Sequence, residues 1–235
     1  MKSFSIIRCF AVLLAMLLSL CALSSCAEPY RKLYEEEQNG LSYCVRGFSG
    51  KPQHLVIKQN DKILLSVSIE SDATVRNLDE KYGLLLTDLN FDGKTDVLLP
   101  VHRADECVEY VVFLQSANGE AFEKSEELSG LCNLRADPDR QAVFAFSHTY
   151  TTEEAYGDTP SVSVSTDRAT KYVWKNGTPE PEMYVAITYY SETGLYCYSV
   201  AYYDSLRKKF GDSDDVWLKP EEYAAKDMSF LYYFR

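Results

Sequence analysis

The sequence predicts a mainly β fold: antiparallel hairpins that form a β-sandwich or a small propeller-like array, with little helix. Three observations predict it. Alternating or β-branched apolar runs of strand length recur along the chain, turn residues such as Asn-Gly separate them, and stretches with a helical apolar period are scarce. Asn-Gly suits such turns because a type I′ turn needs positive φ at both central residues.

In chain order, the first segment is not part of the fold. Lys2 and Arg8 precede an apolar run from Cys9 to Leu23 that is short for a membrane span and lacks a polar far flank, so residues 1–25 read as an export signal. The run ends in Leu23-Ser24-Ser25-Cys26, which resembles the lipobox of bacterial lipoproteins. Small residues there admit a signal peptidase, and the resemblance implies that the Cys26 thiol takes the lipid and becomes the mature N-terminus. An ordinary cleavage near Ala22 or Ala27 is the alternative. On the first reading the chain is an extracytoplasmic lipoprotein of the cell envelope, held to the membrane through its N-terminal lipid.

Residues 26–39 read as a tether, in which "EPYRKLYEEEQ" has the look of a short helix with a solvated acidic face at Glu35 to Glu37. Residues 40–235 then form one β-rich domain. "HLVIKQNDKILLSVSIE" reads as a hairpin turning at Asn60-Asp61, and "YVVFLQSANGEAFEKS" as another turning at Asn118-Gly119. "KYVWKNGTPEPEMYVAITYY" turns at Asn176-Gly177 and "ITYYSETGLYCYSVAYY" near Gly194. "SHTYTTEEAYGDTPSVSVSTDRAT" is an exposed loop or an interrupted strand pair. A second short helix is expected in "KPEEYAAKDM", with Pro220 at a first helical position.

Charge and cysteine content narrow the function classes. The export signal carries two basic and no acidic residues, so the formal charge of −11 becomes −13 without it. Such a surface repels phosphate, which argues against nucleic acid or anionic lipid as a partner. Of seven cysteines, Cys44, Cys107, Cys132 and Cys197 remain after the signal and Cys26 are set aside. They permit two disulfides in three connectivities, or four buried free thiols. No pair has the Cys-x-x-Cys spacing of a zinc knuckle or redox motif.

The chemistry concentrates in "TDLNFDGKTDVLLPV", residues 87–101, where acids interrupt two apolar runs. A calcium loop takes hard oxygens from side chains at positions 1, 3, 5 and 9 and from a backbone carbonyl at position 7. Here those are Asp88, Asn90, Asp92, Asp96 and the Lys94 carbonyl, with Gly93 at the bend. Position 12 is Leu99 where an EF-hand has its bidentate Glu, and the flanks are strand-like, so a strand-loop-strand Ca2+ site is expected. A tight Asp-Gly hairpin whose acids face water is the plainer alternative.

The loop resembles the Asp-x-Asn-x-Asp-Gly-x-x-Asp loops of FG-GAP and integrin-type propeller repeats. With the Tyr-rich strand after it, the Asn-Gly turn followed by Phe122, "ELSGLCN", "RADPDR" and "KYVWKNG", residues 80–180 look like a family of small bacterial FG-GAP-like lipoproteins. Some members of that family resemble periplasmic lysozyme inhibitors and immunity proteins. The resemblance implies calcium at Asp88, Asn90, Asp92, Lys94 and Asp96, and a partner such as a lysozyme-like hydrolase or another envelope protein. No inhibitory loop is recognisable.

An enzyme is the rival class. His54, His102 and His148 are the three histidines, and none has metal-ligand spacing or a Gly-x-Ser-x-Gly elbow beside it. His102, Asp105 and Glu106 form a candidate acid-base cluster, read more simply as charges near a strand end. Paired carboxylates acting on glycan or peptide, as in an envelope hydrolase, stay open because their separations are not legible. The sequence thus points to a binding protein with no assembled catalytic motif. Ten of the eighteen tyrosines lie from Tyr184 onward, as strand residues or as a recognition surface for sugar or peptide.

Overall fold

The computed structural model describes residues 30–72, 84–104, 106–153 and 162–225, so Cys26 and Asp105 lie outside the described part. Three antiparallel sheets carry nearly all of it. The first is a four-stranded meander of β1 (Arg31–Gln38), β2 (Leu41–Phe48), β3 (Lys51–Gln59) and β4 (Lys62–Ser68). The second is another meander, β5 (Leu85–Thr87), β6 (Asp96–Ala104), β7 (Cys107–Gln115) and β8 (Phe122–Ser125). The third runs from β9 (Arg135–Asp137) through β10 (Ala142–Glu153), β11 (Val162–Lys175) and β12 (Thr178–Tyr190) to β13 (Leu195–Asp204). The short strands β14 (Lys209–Phe210) and β15 (Asp214–Leu218) each pair with part of β13, and helix α1 (Pro220–Ala225) follows.

The second sheet is the middle layer, and its sequence shows why. Leu41, Tyr43, Val45, Leu55, Ile57 and Leu64 of the first sheet share a core with Val97, Leu99, Phe113 and Phe122 of the second. Leu98, Val108, Tyr110 and Val112, on its opposite face, pack with Val143 and Ala145 of the third, joined by Tyr172 and Trp174. A strand buried on both faces needs an unbroken apolar run rather than alternation, and Asp96 to Pro100 are all buried. Pro100 lacks a ladder N–H, and the register shifts between Pro100 and His102, where a proline is tolerated inside a sheet.

Of the two expected architectures the sandwich holds, as stacked sheets without a closed barrel. The turns fall where the sequence places them: Asn60 (φ 53°), Asn176 (φ 53°), Gly177 (φ 79°), Gly119 (φ 75°) and Gly194 (φ 67°) are all left-handed. The Thr/Ser-rich stretch is strand over residues 147–153 in β10 and 162–170 in β11, with residues 154–161 outside the described part, and Pro220 opens α1.

The expected helix near residues 28–38 is corrected: Arg31–Gln38 is an edge strand. Asn39 (φ 53°) and Gly40 (φ 76°) turn it into a hairpin against β2, and Tyr34 packs on the first core. Cross-strand pairing there overrides the modest helix preference of Glu and Lys. Of the four cysteines, Cys107 and Cys132 form a disulfide and Cys44 and Cys197 are free thiols.

Candidate metal centre

The loop between β5 and β6 is held by its apolar residues and by Asp96. Leu89 is fully buried and Phe91 packs beside it in the core between the second and third sheets. These two side chains pack inward, while Asn90 between them is half-buried and Asp92 after them is exposed. Phe91 has φ 60° and Gly93 φ 83°, two left-handed residues that bend the chain sharply. From the third sheet, the Trp174 indole N–H donates to the Leu89 carbonyl at 2.7 Å.

Asp96, at the start of β6, has no exposed surface. One carboxylate oxygen accepts the Leu89 N–H at 2.8 Å and the other accepts the Gln115 N–H at 2.8 Å, so a single side chain ties the loop's entry to the end of β7. Burial pushes this carboxyl up to about 6. Those two N–H bonds oppose the shift, and the charges of Asp92 and Asp88 add to it. Negative charge at this spot is therefore under-compensated by the protein itself.

The remaining candidate ligands wrap the loop's own backbone. Asp88 accepts the Gly93 N–H at 2.8 Å and the Asp92 N–H at 3.2 Å. The Asn90 side-chain oxygen also accepts the Asp92 N–H at 3.2 Å, and Asp92 accepts the Lys94 N–H at 2.9 Å. Each carboxylate keeps lone pairs beyond those it uses. With the Lys94 carbonyl, the donor set of three carboxylates, one amide oxygen and one backbone oxygen suits a hard divalent cation.

The three carboxylates do not yet close on one point. Among the described residues, the acid, histidine or cysteine trio whose ligand atoms lie within 4.8 Å of one another is Cys107, Glu109 and Cys132, and its two sulfurs are joined as the disulfide. A cation in the loop would have to draw Asp88, Asp92 and Asp96 inward. The donors thus fit calcium in kind and order, and the loop is fastened to both neighbouring strands. The sequence did not reveal the Gln115 and Trp174 contacts, because neither an amide N–H nor an indole 85 residues away leaves a local signal.

The other candidates disperse. His54, His102 and His148 lie one on each sheet, against Ser66 at 3.1 Å, Asp72 at 2.7 Å and Asp167 at 2.7 Å respectively. Glu106 is exposed in the turn between β6 and β7. Of the ten tyrosines from Tyr184 onward, seven are strand residues of β12 and β13, Tyr223 is in α1, and Tyr232 and Tyr233 lie outside the described residues; ring contacts include Tyr190 on Trp217 at 5.1 Å and Tyr196 on Tyr223 at 4.2 Å.

No family model matches the chain, and no curated protein matches it. A solved structure of a Xanthomonas type IV secretion system related protein is similar over 81% of this chain and 98% of that one, with 13% identity and a TM-score of 0.48.

Proposed function

We propose that the chain is a calcium-braced binding module of the bacterial cell envelope. In this reading it is anchored by lipid at Cys26 and occupies a protein partner, a lysozyme-like cell-wall hydrolase, without turning over a substrate. The observation that carries the calcium part is Asp96. It is a fully buried acid with its charge under-compensated, bonded to the N–H groups of Leu89 and Gln115, at position 9 of a loop whose positions 1, 3 and 5 are Asp88, Asn90 and Asp92. Bound calcium would supply positive charge there and nothing catalytic. Its ligands would be Asp88, Asn90, Asp92, Asp96 and the Lys94 carbonyl. The non-catalytic part is supported by the three histidines, which stand on separate sheets and are engaged by Ser66, Asp72 and Asp167.

Thermal melts with calcium, magnesium and chelator test it. Extracellular calcium sites often bind at about 0.1 to 1 mM, so a tight one at about 1 mM calcium adds about 1.4 kcal/mol by mass action. For a domain of this size that raises the melting temperature by about 3 to 6 °C. Magnesium should do less, since it demands stricter octahedral geometry. A melt indifferent to calcium would overturn the metal reading. Product release from cell-wall fragments that scales with protein concentration would overturn the non-catalytic one.

A further inference from the structure

We propose that the outer half of β10 is a self-association edge, which pairs antiparallel with the same strand of a second copy. The backbone orientation along β10 is settled by Phe146. Its N–H donates to the Cys132 carbonyl at 3.0 Å and its C=O accepts from the Asn133 side chain at 3.2 Å, so both groups point away from β11. The β10–β11 register is unbroken from Ala142 to Glu153. Every second residue therefore points the same way, and His148, Tyr150 and Thr152 present three N–H and three C=O groups at the sheet edge. Among the described residues, β9 covers this edge at Ala142 to Phe144, and no backbone hydrogen bond is made to the outward groups beyond Phe146. All three residues are exposed, Tyr150 at 64%.

Exposed edges are normally blunted by charge, proline, bulges or brevity. The other edges here are. β1 carries Glu35, Glu36 and Glu37, β15 carries Asp214 and Asp215, the β3–β4 ladder shifts register at Ile57, and β5 and β8 have three and four residues. Ser147 to Thr152 contains no Lys, Arg, Asp, Glu or Pro.

Self-complementarity selects a second copy as the occupant. With Tyr150 opposite the other copy's Tyr150, the outward groups of residues 148, 150 and 152 meet their counterparts, and six inter-copy backbone hydrogen bonds form. The two Tyr150 rings then form a cross-strand aromatic pair, Thr149 faces Thr151, and His148 faces Thr152, all favourable or neutral pairs. No acid faces an acid, which matters for copies that each carry a formal charge of −11. The edge is independent of the calcium loop.

Sedimentation of the intact chain over a concentration series tests the proposal. Wild type should show a reversible dimer, and Tyr150→Lys, which sets two cations opposite each other, should raise its dissociation constant by about tenfold or more. In a hydrogen-bonded antiparallel pair the Cα atoms stand about 5.5 Å apart, within disulfide reach. Tyr150→Cys should therefore oxidise with oxidised glutathione to a covalent dimer, while Val216→Cys, exposed on β15, should not. A wild type that stays monomeric throughout, a dimer unaffected by Tyr150→Lys, or equal cross-linking of both cysteine variants would each overturn it.

Discussion

At the scale of the residue, two buried polar groups make opposite predictions. Asp96 is buried and accepts the backbone N–H groups of Leu89 and Gln115, whereas Asp92 is exposed and accepts the Lys94 N–H within its own loop. In chelator, Asp96→Ala should cost about 2 kcal/mol, the donors' lost bonds being partly offset by relief of a buried charge. Asp92→Ala should leave the metal-free melt nearly unchanged and abolish its response to calcium; equal behaviour of the two variants would erase the distinction between brace and ligand. Tyr43 is the opposite case. It is fully buried with no hydrogen-bond partner for its hydroxyl among the described residues, and burial, then the charges of Glu36 and Asp96, push the phenol up to about 12. Tyr43→Phe should therefore raise stability at neutral pH by about 1 kcal/mol. The alkaline sign follows from the raised value: the unfolded phenol ionises near pH 10 and the folded one resists, so wild type loses stability between pH 10 and 12. The Phe variant should lose less across that window in chemical denaturation. Tyr172, also raised by burial, keeps the remaining slope from vanishing.

At the scale of the element, the disulfide is the clearest test. Cys107 opens β7 and Cys132 lies in the loop before β9, where a bridge to Glu109 and the Phe146 N–H bond join the second and third sheets. Closing a loop with a sequence separation of 25 should stabilise by about 3 to 4 kcal/mol. The double Cys107→Ala, Cys132→Ala variant should melt about 6 to 16 °C lower. A change within about 2 °C would mean that the unfolded chain is already restrained there. The hairpins were legible because Asn-Gly and apolar alternation are local signals. The β1 hairpin carried the same Asn-Gly signal at Asn39-Gly40, but an acidic run with helix preference beside it pointed elsewhere. Which cysteines pair was not legible, since four thiols allow three connectivities and only the fold brings Cys107 to Cys132. The order of the candidate ligands was written in residues 88–96, while the burial of Asp96 and its bond to Gln115 arise from tertiary packing.

At the scale of the whole molecule, charge and anchoring decide where the module acts. A chain at −13 without residues 1–25 gains nothing from an anionic bilayer, so in the proposed reading stable membrane attachment comes from acyl chains at Cys26. A single acyl chain binds only reversibly, at about 10⁴ per molar, whereas two or more give stable anchoring. The described residues hold no helix long and apolar enough to span a membrane, so they offer no substitute anchor of that kind. Cys26→Ala therefore separates the readings cleanly. If Cys26 is the lipid site, the variant either stays at the membrane with its apolar leader uncleaved, visible as a larger mass, or is cleaved elsewhere and leaves the membrane fraction. Labelling with a fatty-acid analogue should mark wild type and not the variant. A variant that is processed to the wild-type mass and sediments with membranes as wild type does would show that Leu23-Ser24-Ser25-Cys26 is not a lipobox. Ordinary cleavage near Ala22 or Ala27 would then remove the leader, and the membrane association would have a source other than lipid at Cys26.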